Sequence, residues 1–199
     1  MVCDVRQDLL PRTYQADLDR LYRRVIRPAL DELPIGSTEG RGVVTEMEEF
    51  LDNAQRQTSA LLAQEARRGF ALTLAAVFER QIVAWIADRA VDLPSKEKRA
   101  SFAEQVSAAA NFGGVDLNYQ SLGAVIVELH TLANVVRHGE GRSLVELRSN
   151  APHVWKDSGS QEPQALAITD LHFRRYMMAL GRFWGMADKE PMAIVDPPY

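Results

Sequence analysis

Cysteine is almost absent from this chain, since Cys3 is the only one among 199 residues. A disulfide within the chain is therefore excluded, and so is a metal site built from several thiolates. A single thiol is typical of proteins that stay in a reducing compartment. The first eight residues, MVCDVRQD, also lack the apolar core of a secretory signal. We therefore expect a cytoplasmic protein.

Long apolar runs and an excess of basic charge are also missing. The most apolar stretch, residues 71–86, is too short to cross a bilayer and contains Glu79 and Arg80, so no membrane association is expected. The net charge is −4 and the isoelectric point is about 5.6. This balance argues against nucleic-acid binding by one whole basic face, while a local basic patch remains open.

Signals for β-strands are scarce as well. The chain has no alternating run of β-branched residues and no Asn-Gly or Asp-Gly hairpin between such runs. Apolar residues make up 46% of the chain and recur at helical spacing from one end to the other. We predict an all-α helical bundle in one domain. Its parts are an N-terminal helix and loop at 1–42, a main bundle at 43–186 and an irregular tail at 187–199.

A proline predicts where the first helix ends, and a capping box predicts where the second helix begins. The first is predicted over residues 14–33, before Pro34. The second begins at Thr45-Glu46-Met47-Glu48, whose Thr and Glu can cap each other, and continues to about Val91 with a bend or break at Gly69. The stripe of the first helix consists of Leu18, Leu21, Val25, Ala29 and Leu33.

The long second helix has two different halves. Residues 70–86 are rich in apolar side chains and are predicted to lie in the core. The first half carries only a narrow stripe, which is typical of a helix that pairs with another chain. We therefore predict a helical arm and a homodimer or another protein partner. The stripe consists of Met47, Leu51, Ala54, Thr58, Leu61 and Leu62.

The remaining helices follow from caps and breakers. One is predicted from Ser95 to about Asn111, before Gly113-Gly114. Another is capped by Asp116 or Asn118 and ends at His138, with Gly139 just beyond it. A short helix covers 143–148, and the last runs from Pro163 to about Met186. The face of the last helix consists of Phe173, Tyr176, Leu180, Phe183 and Trp184.

The end of the helix before Gly139 is the most informative segment. His130, Asn134 and His138 are four residues apart, so they share one strip of the helix beside Arg137. An amide, two imidazoles and a guanidinium could hold a phosphate or transfer a proton. A structural role is the other interpretation, because Arg and His suit the negative end of a helix and His130 could be a core residue.

Other chemistries find little support. The P-loop, the dinucleotide fingerprint, the HExxH zinc motif and the Gly-x-Ser-x-Gly elbow are all missing. A metal site from His130 and His138 is disfavoured because the strip has no carboxylate, and Glu128 points about 160° away from His130 on the helix. We predict neither a metal nor a cofactor.

The segment Leu132-Ala-Asn-Val-Val-Arg-His-Gly139 resembles the signature of HEPN domains. These domains are all-α bundles of bacterial toxin–antitoxin and phage-defence systems. Active members are metal-independent ribonucleases that bring two copies of the motif together in a dimer. The family motif is an Arg, usually followed by a polar residue, with a His four to six positions after the Arg.

The resemblance implies roles for individual residues. Asn134 corresponds to the polar residue and His138 to the histidine, while Ala133 stands at the position of the arginine and Arg137 is the nearest guanidinium. The implied catalytic residues are thus Asn134, Arg137 and His138. The resemblance also implies a homodimer. The implied contacts to RNA or a nucleotide are Arg137, Arg142, Arg148 and His130.

Two main functions remain open from the sequence, beside a third and weaker one, an enzyme with different chemistry at His130, Asn134 and His138. The first is a HEPN-like protein that contacts RNA or a nucleotide, with or without metal-independent ribonuclease activity. The second is a non-catalytic interaction protein, which acts as a helical dimer or as a subunit of a larger assembly. The narrow stripe of the long helix and the acidic balance favour the second function.

A second stretch, Arg148-Ser-Asn-Ala-Pro-His153, has the same bare spacing. Pro152 breaks a helix there, so the motif geometry is not expected. The residues could still add to a basic patch with Arg142 and Lys156.

Charged and aromatic residues of the predicted core need partners or space. Glu79 and Arg80 are expected to form a cross-helix pair if either is buried, and otherwise to mark the solvent side. Trp85, Trp155 and Trp184 are predicted to be core or interface anchors.

Overall fold

The computed structural model describes residues 10–33, 47–89, 91, 100–155, 162–190 and 193–199. These residues are mostly helical, and the one β-type pairing among them is an isolated bridge between Trp155 and Leu166. The predicted all-α bundle with one long helix is therefore confirmed. The helices are α1 (Leu10–Leu21), α2 (Arg27–Glu32), α3 (Met47–Asp88), α4 (Phe102–Gly113), α5 (Leu122–His138), α6 (Arg142–Asn150) and α7 (Asp170–Ala187).

A π-helical turn, Tyr22–Ile26, joins α1 to α2. The buried residues of this segment follow a strict four-residue spacing: Leu18, Tyr22, Ile26 and Leu30. Four residues of an α-helix turn through about 400°, so residues spaced by four drift by about 40° around the helix. A π-helical turn contains more residues per turn and therefore keeps this spacing on one side. The predicted stripe is therefore confirmed only in part: Leu21 and Leu33 are partly buried against the core, whereas Val25 is 52% exposed.

Helix α3 is continuous over 42 residues, a length of about 63 Å. The predicted cap, Thr45, lies outside the described residues. The predicted break at Gly69 does not occur, because a glycine costs only about 1 kcal/mol in a helix and the residues that follow are fixed in the core. Leu74, Phe78 and Trp85 are each at most 3% exposed.

The apolar composition of α3 is compatible with a membrane span or with the core of a helical bundle. By length and composition alone, residues 50–88 could cross a membrane, and 44% of the most apolar window is buried inside the protein. The same residues supply contacts to α4 and α5 within the bundle. The prediction that 70–86 forms core is confirmed for its inward-facing side chains.

Helix α4 begins later than predicted. Ser101 is its N-cap: the Ser101 Oγ accepts from the Glu104 N–H at 3.3 Å, and the Ser101 N–H donates to Glu104 Oε2 at 2.7 Å. Ala100 and Ser101 are not helical, so no continuous helix runs from Ser95. Ser95 itself lies outside the described residues. The end of the helix at Gly113-Gly114 is confirmed, with Gly114 in the left-handed region.

The start of α5 also differs from the prediction. Asp116 Oδ1 accepts from the Asn118 N–H at 2.9 Å, which closes a local turn instead of capping a helix. A 3₁₀ turn follows at Tyr119–Ser121, and α5 begins at Leu122. Its predicted end is confirmed, because Gly139 has φ 73° and donates to the Val135 carbonyl.

The last helix begins at Asp170, seven residues after the predicted start. Pro163 opens a separate 3₁₀ turn, Pro163–Ala165, because Leu166 and the N-cap Thr169 are extended and interrupt the helix. The short helix predicted over 143–148 is confirmed as α6. The aromatic face of α7 is also confirmed, since each of its predicted residues is 0% exposed: Phe173, Tyr176, Leu180, Phe183 and Trp184.

The core is tied together at Gln81. Its side-chain amide donates to the Tyr14 carbonyl at 3.1 Å, and its oxygen accepts from Trp184 Nε1 at 2.9 Å. Arg80 is exposed and Glu79 half-buried, so these charges lie toward the solvent side. The three tryptophans, Trp85, Trp155 and Trp184, are buried as predicted.

The described residues of the tail, 188–190 and 193–199, are not helical and pack on α1. Gln15 Nε2 donates to the carbonyls of Gly181 and Ile194, at 2.9 and 2.6 Å. The ring of Tyr199 lies edge-on to Tyr22, with centroids 5.5 Å apart. The two ends of the described chain therefore meet beside α7.

Candidate functional site

The predicted motif residues lie at the C-terminal end of α5. Asn134 is half-buried, whereas Arg137 and His138 are exposed in the last turn. Neither of these two side chains forms a hydrogen bond or an ion pair with any residue that the structure describes. Both are therefore accessible at the negative end of the helix dipole, which favours a positive charge.

A groove of about 740 Å³ opens beside His138. It lies between the turn after α5, helix α6 and the 3₁₀ turn at Pro163. Arg148 and His138 line it together with the carboxylates of Glu140 and Glu162. The groove is thus lined by residues of both charge types. Its basic residues come from the end of α5 (His138) and from α6 (Arg148).

The other predicted RNA contacts do not line this groove. Arg142 is on the solvent side of α6, where its Nε donates to Glu146 at 2.7 Å and its side chain is 91% exposed. Arg137 and Asn134 precede the groove on α5. The structure therefore brings His138 and Arg148 together and leaves the rest of the predicted set around the groove or away from it.

His130 has the environment of a packed aromatic residue. Its ring stacks on Phe102, with centroids 3.9 Å apart and planes 6° from parallel. Burial lowers the pKa of His130, the charge of Glu79 acts in the opposite direction, and the charge of Arg137 lowers the pKa further. The neutral, stacked ring fits the structural interpretation of His130 better than RNA contact.

The second stretch with motif spacing is not one helix. Helix α6 ends at Asn150, and Pro152–Val154 forms a 3₁₀ turn. The break expected at Pro152 is confirmed. The turn carries His153 toward α5 and α7, where it joins residues that were not predicted as a group.

A cluster of ionisable side chains lies between α5, α7 and this turn. Glu128, only 8% exposed, accepts from Arg175 through both oxygens: Nη1 to Oε1 at 2.7 Å and Nη2 to Oε2 at 3.0 Å. The Tyr176 hydroxyl donates to the same Oε1 at 2.8 Å. The buried carboxylate therefore has a matched charge and satisfied oxygens, as a buried ion requires.

Two histidines complete this Glu128 cluster. His153 Nε2 lies 2.8 Å from Arg175 Nη1 and 3.2 Å from Glu128 Oε1. Because a guanidinium only donates, the Nε2 atom of His153 is the acceptor in its contact with Arg175. The ring of His172 is 5.4 Å from that of His153, and its Nδ1 accepts from the Thr169 N–H at 3.0 Å.

The surroundings shift the pKa of two of these groups in the direction that favours the uncharged form. Burial raises the pKa of Tyr176 well above its usual value, and the Glu128 carboxylate raises it further. Burial lowers the pKa of His172, and the neighbouring His153 also lowers it. Clusters with such shifts occur at functional sites and in structural ion-pair networks. Here no member lines the groove beside His138, so the contacts indicate a network that joins helices.

Sequence reasoning missed the Glu128 cluster. Glu128 was used only to argue that the His130 strip has no carboxylate. The available signal was an acidic residue inside an apolar helix, between Ile126 and Leu129, since a buried carboxylate needs a cationic partner. The sequence alone did not identify Arg175, which lies 47 residues away.

Within the described residues, no group of three or more His, Cys, Asp and Glu side chains could hold a metal ion. Comparison of the chain with protein-family models, with curated proteins and with solved structures gave no match.

Proposed function

We propose that this chain is a HEPN-like cytoplasmic protein of a bacterial-type defence or toxin–antitoxin system, which contacts RNA or a nucleotide at the end of α5. The supporting observation is the exposure of Arg137 and His138 next to each other without a partner in the described residues. A guanidinium and an imidazole so placed can bind a phosphate through charge-assisted hydrogen bonds.

Binding without efficient cleavage fits the site best. Ala133, at the position of the family arginine, is 2% exposed and belongs to the core. The motif therefore has no guanidinium at the position where the family has its arginine. His138 can act as one acid or base, but cleavage of a phosphodiester also needs a second such group, which a partner copy would have to supply.

The test is binding of a single-stranded RNA oligonucleotide by the unchanged chain and three variants. We expect Arg137→Ala and His138→Ala each to weaken binding about tenfold, the effect of losing one charged hydrogen bond. Arg27→Ala is the matched control, because Arg27 is also exposed but lies on α2. The salt dependence of binding should also become less steep for Arg137→Ala, since fewer counterions are released. Equal affinity of all four proteins would refute the proposal.

A ribonuclease assay on the same proteins separates binding from cleavage. Cleavage in the presence of a chelator that is abolished by His138→Ala would assign metal-independent ribonuclease activity. Binding without product would assign the binding role alone.

The first half of α3 favours a second candidate function, a protein that acts through contact with other chains. Its apolar side chains are exposed to a degree that is unusual for a lone protein, with Met47 at 75% and Leu61 at 70%. A complex that persists in His138→Ala would support this function, and a chain that stays monomeric and binds no protein would refute it.

A further inference from the structure

The first half of α3 carries an apolar surface that none of the other described helices covers, which we call the arm stripe: Met47, Phe50, Leu51, Leu61 and Leu62. Each of these side chains is more than half exposed, at 75%, 57%, 59%, 70% and 65%. At roughly 100 Å² for each, the stripe offers about 500 Å² per copy, and two copies reach about 1,000 Å², the lower limit of a specific interface.

The arm stripe points away from the bundle. Ala63 is 2% exposed and Arg67 is 8% exposed, so this side of α3 faces the other described helices. At about 100° per residue, Leu61 lies about 160° from Ala63 around the helix. The stripe is therefore directed outward, where a second molecule can reach it.

The order of large and small residues makes the stripe self-complementary. Phe50-Leu51 and Leu61-Leu62 are two large pairs, 11 residues or about 16 Å apart. Between them, Ala54 and Thr58 are small. The Thr58 hydroxyl donates to the Ala54 carbonyl at 2.9 Å, so this polar atom needs no further partner at a packed surface.

An antiparallel pair with its two-fold axis at residue 56 matches this pattern. It places Phe50 of each copy against Leu62 of the other, Leu51 against Leu61, and Ala54 against Thr58. The small residues meet at the crossing point, where helix axes come closest. Large side chains then pack on both sides of it.

The helix dipoles favour the antiparallel direction over the parallel one. A parallel pair would place the two positive N-terminal ends of the helices side by side, which is unfavourable. An antiparallel pair separates these ends and opposes the two helix dipoles.

We propose that the arm stripe binds the arm stripe of a second copy of this chain, as an antiparallel helix pair centred at residue 56. The proposal rests on the second candidate function, the use of the arm for protein contact, and is independent of RNA binding. It names the partner and the register, which that function leaves open.

The first experiment measures molar mass in solution across a wide range of protein concentration. We expect the full chain to reach twice its 22.3 kDa, and the double variant Leu61→Glu/Leu62→Glu to remain at the mass of one chain. Leu171→Glu is the control, since Leu171 is 74% exposed on α7. It should dimerise like the unchanged chain. A chain that stays monomeric, or a dimer that the double variant keeps, would overturn the proposal.

The second experiment tests the register with single cysteines in a Cys3→Ser background. A mixture of Leu51→Cys and Leu61→Cys chains, one of them tagged, should form a disulfide between the two under mild oxidation. Leu61→Cys alone should not cross-link, because the two copies of residue 61 lie far apart in the antiparallel pair. Cross-linking of Leu61→Cys alone would show a parallel pair and overturn the proposed register. A monomer that captures another protein through the arm would overturn the self-association but leave the second candidate function standing.

Discussion

Glu128 and Arg175 form a two-pronged ion pair between the middle of α5 and the first half of α7, with N–O distances of 2.7 and 3.0 Å. The carboxylate is buried, whereas the arginine side chain is 39% exposed. The pair joins the helix that ends in the motif to the helix with the aromatic core face. It therefore helps to fix where Arg137 and His138 lie.

The first prediction concerns the loss of one partner of this pair. Arg175→Met should lower the free energy of unfolding by about 2 kcal/mol, less than the 3–5 kcal/mol of fully buried pairs because Arg175 is partly exposed. Chemical denaturation monitored by circular dichroism measures it. Arg174→Met is the control, since Arg174 directly precedes Arg175 on α7 and is exposed. The combined variant Glu128→Leu/Arg175→Met should recover part of the loss, because no charge is then left buried without a partner. Equal stability of Arg175→Met and the control would contradict the role assigned to the pair.

The second prediction concerns pH and His172. Burial lowers the pKa of His172 below its ordinary value of 6.5 in the folded chain, and the pKa of His130 is lowered as well. As pH falls below about 6.5, the unfolded chain binds protons first, so the free energy of unfolding falls. Protonation of His172 Nδ1 would also remove its hydrogen bond from the Thr169 N–H.

The measurement is urea denaturation between pH 7.5 and pH 5, in steps. His172→Gln should flatten the loss of stability in this range, and His130→Gln should do so through its own contribution. His138→Gln is the control, because His138 is exposed at the end of α5. A pH dependence that stays the same in both core variants would rule out this explanation.

The third prediction tests the cap that sequence reasoning overlooked. Ser101→Ala removes the side-chain acceptor of the Glu104 N–H and should cost about 1 kcal/mol of stability. Ser107→Ala, on an exposed position inside the same helix, should change stability little because alanine is the better helix former. Thermal unfolding of the two variants compares them directly. If both variants unfolded at the same temperature, the cap would contribute nothing measurable.

The sequence predicted most helices, because their apolar spacing is a local property. It predicted the face of α7 fully, since Phe173 to Trp184 follow one uninterrupted α-helix. It failed where a side chain accepts a hydrogen bond within a local turn instead of capping a helix, as Asp116 does before α5. It also failed where the backbone left α geometry, as at Tyr22–Ile26.

The candidate site was predicted only in part. The exposure of Arg137 and His138 follows from their place at a helix end, which the sequence indicated. The Glu128 cluster depends on how α5, α7 and the turn at His153 come together. Such contacts between distant residues leave no spacing signal in a single sequence, so Arg175 was not predicted as the partner of Glu128.

The last prediction compares two glycines inside helices. A Cβ at Gly185 of α7 would overlap the Ile194 carbonyl oxygen and lie 2.9 Å from Val195 Cα, both backbone atoms of the tail. A Cβ at Gly69 of α3 would meet nothing within 4 Å. Gly185→Ala should therefore push the tail away from α7, whereas Gly69→Ala should stabilise the chain by about 0.5–1 kcal/mol.

Two measurements follow the two glycine variants. Limited proteolysis should cut the tail of Gly185→Ala faster than that of the unchanged chain, because a displaced segment is more accessible. Gly69→Ala should raise the unfolding temperature and leave the cleavage rate of the tail as it was. A tail that is equally protected in Gly185→Ala would mean that Ile194 and Val195 can move aside without leaving the surface of α7. The contact at Gly185 would then not be what holds the tail in place.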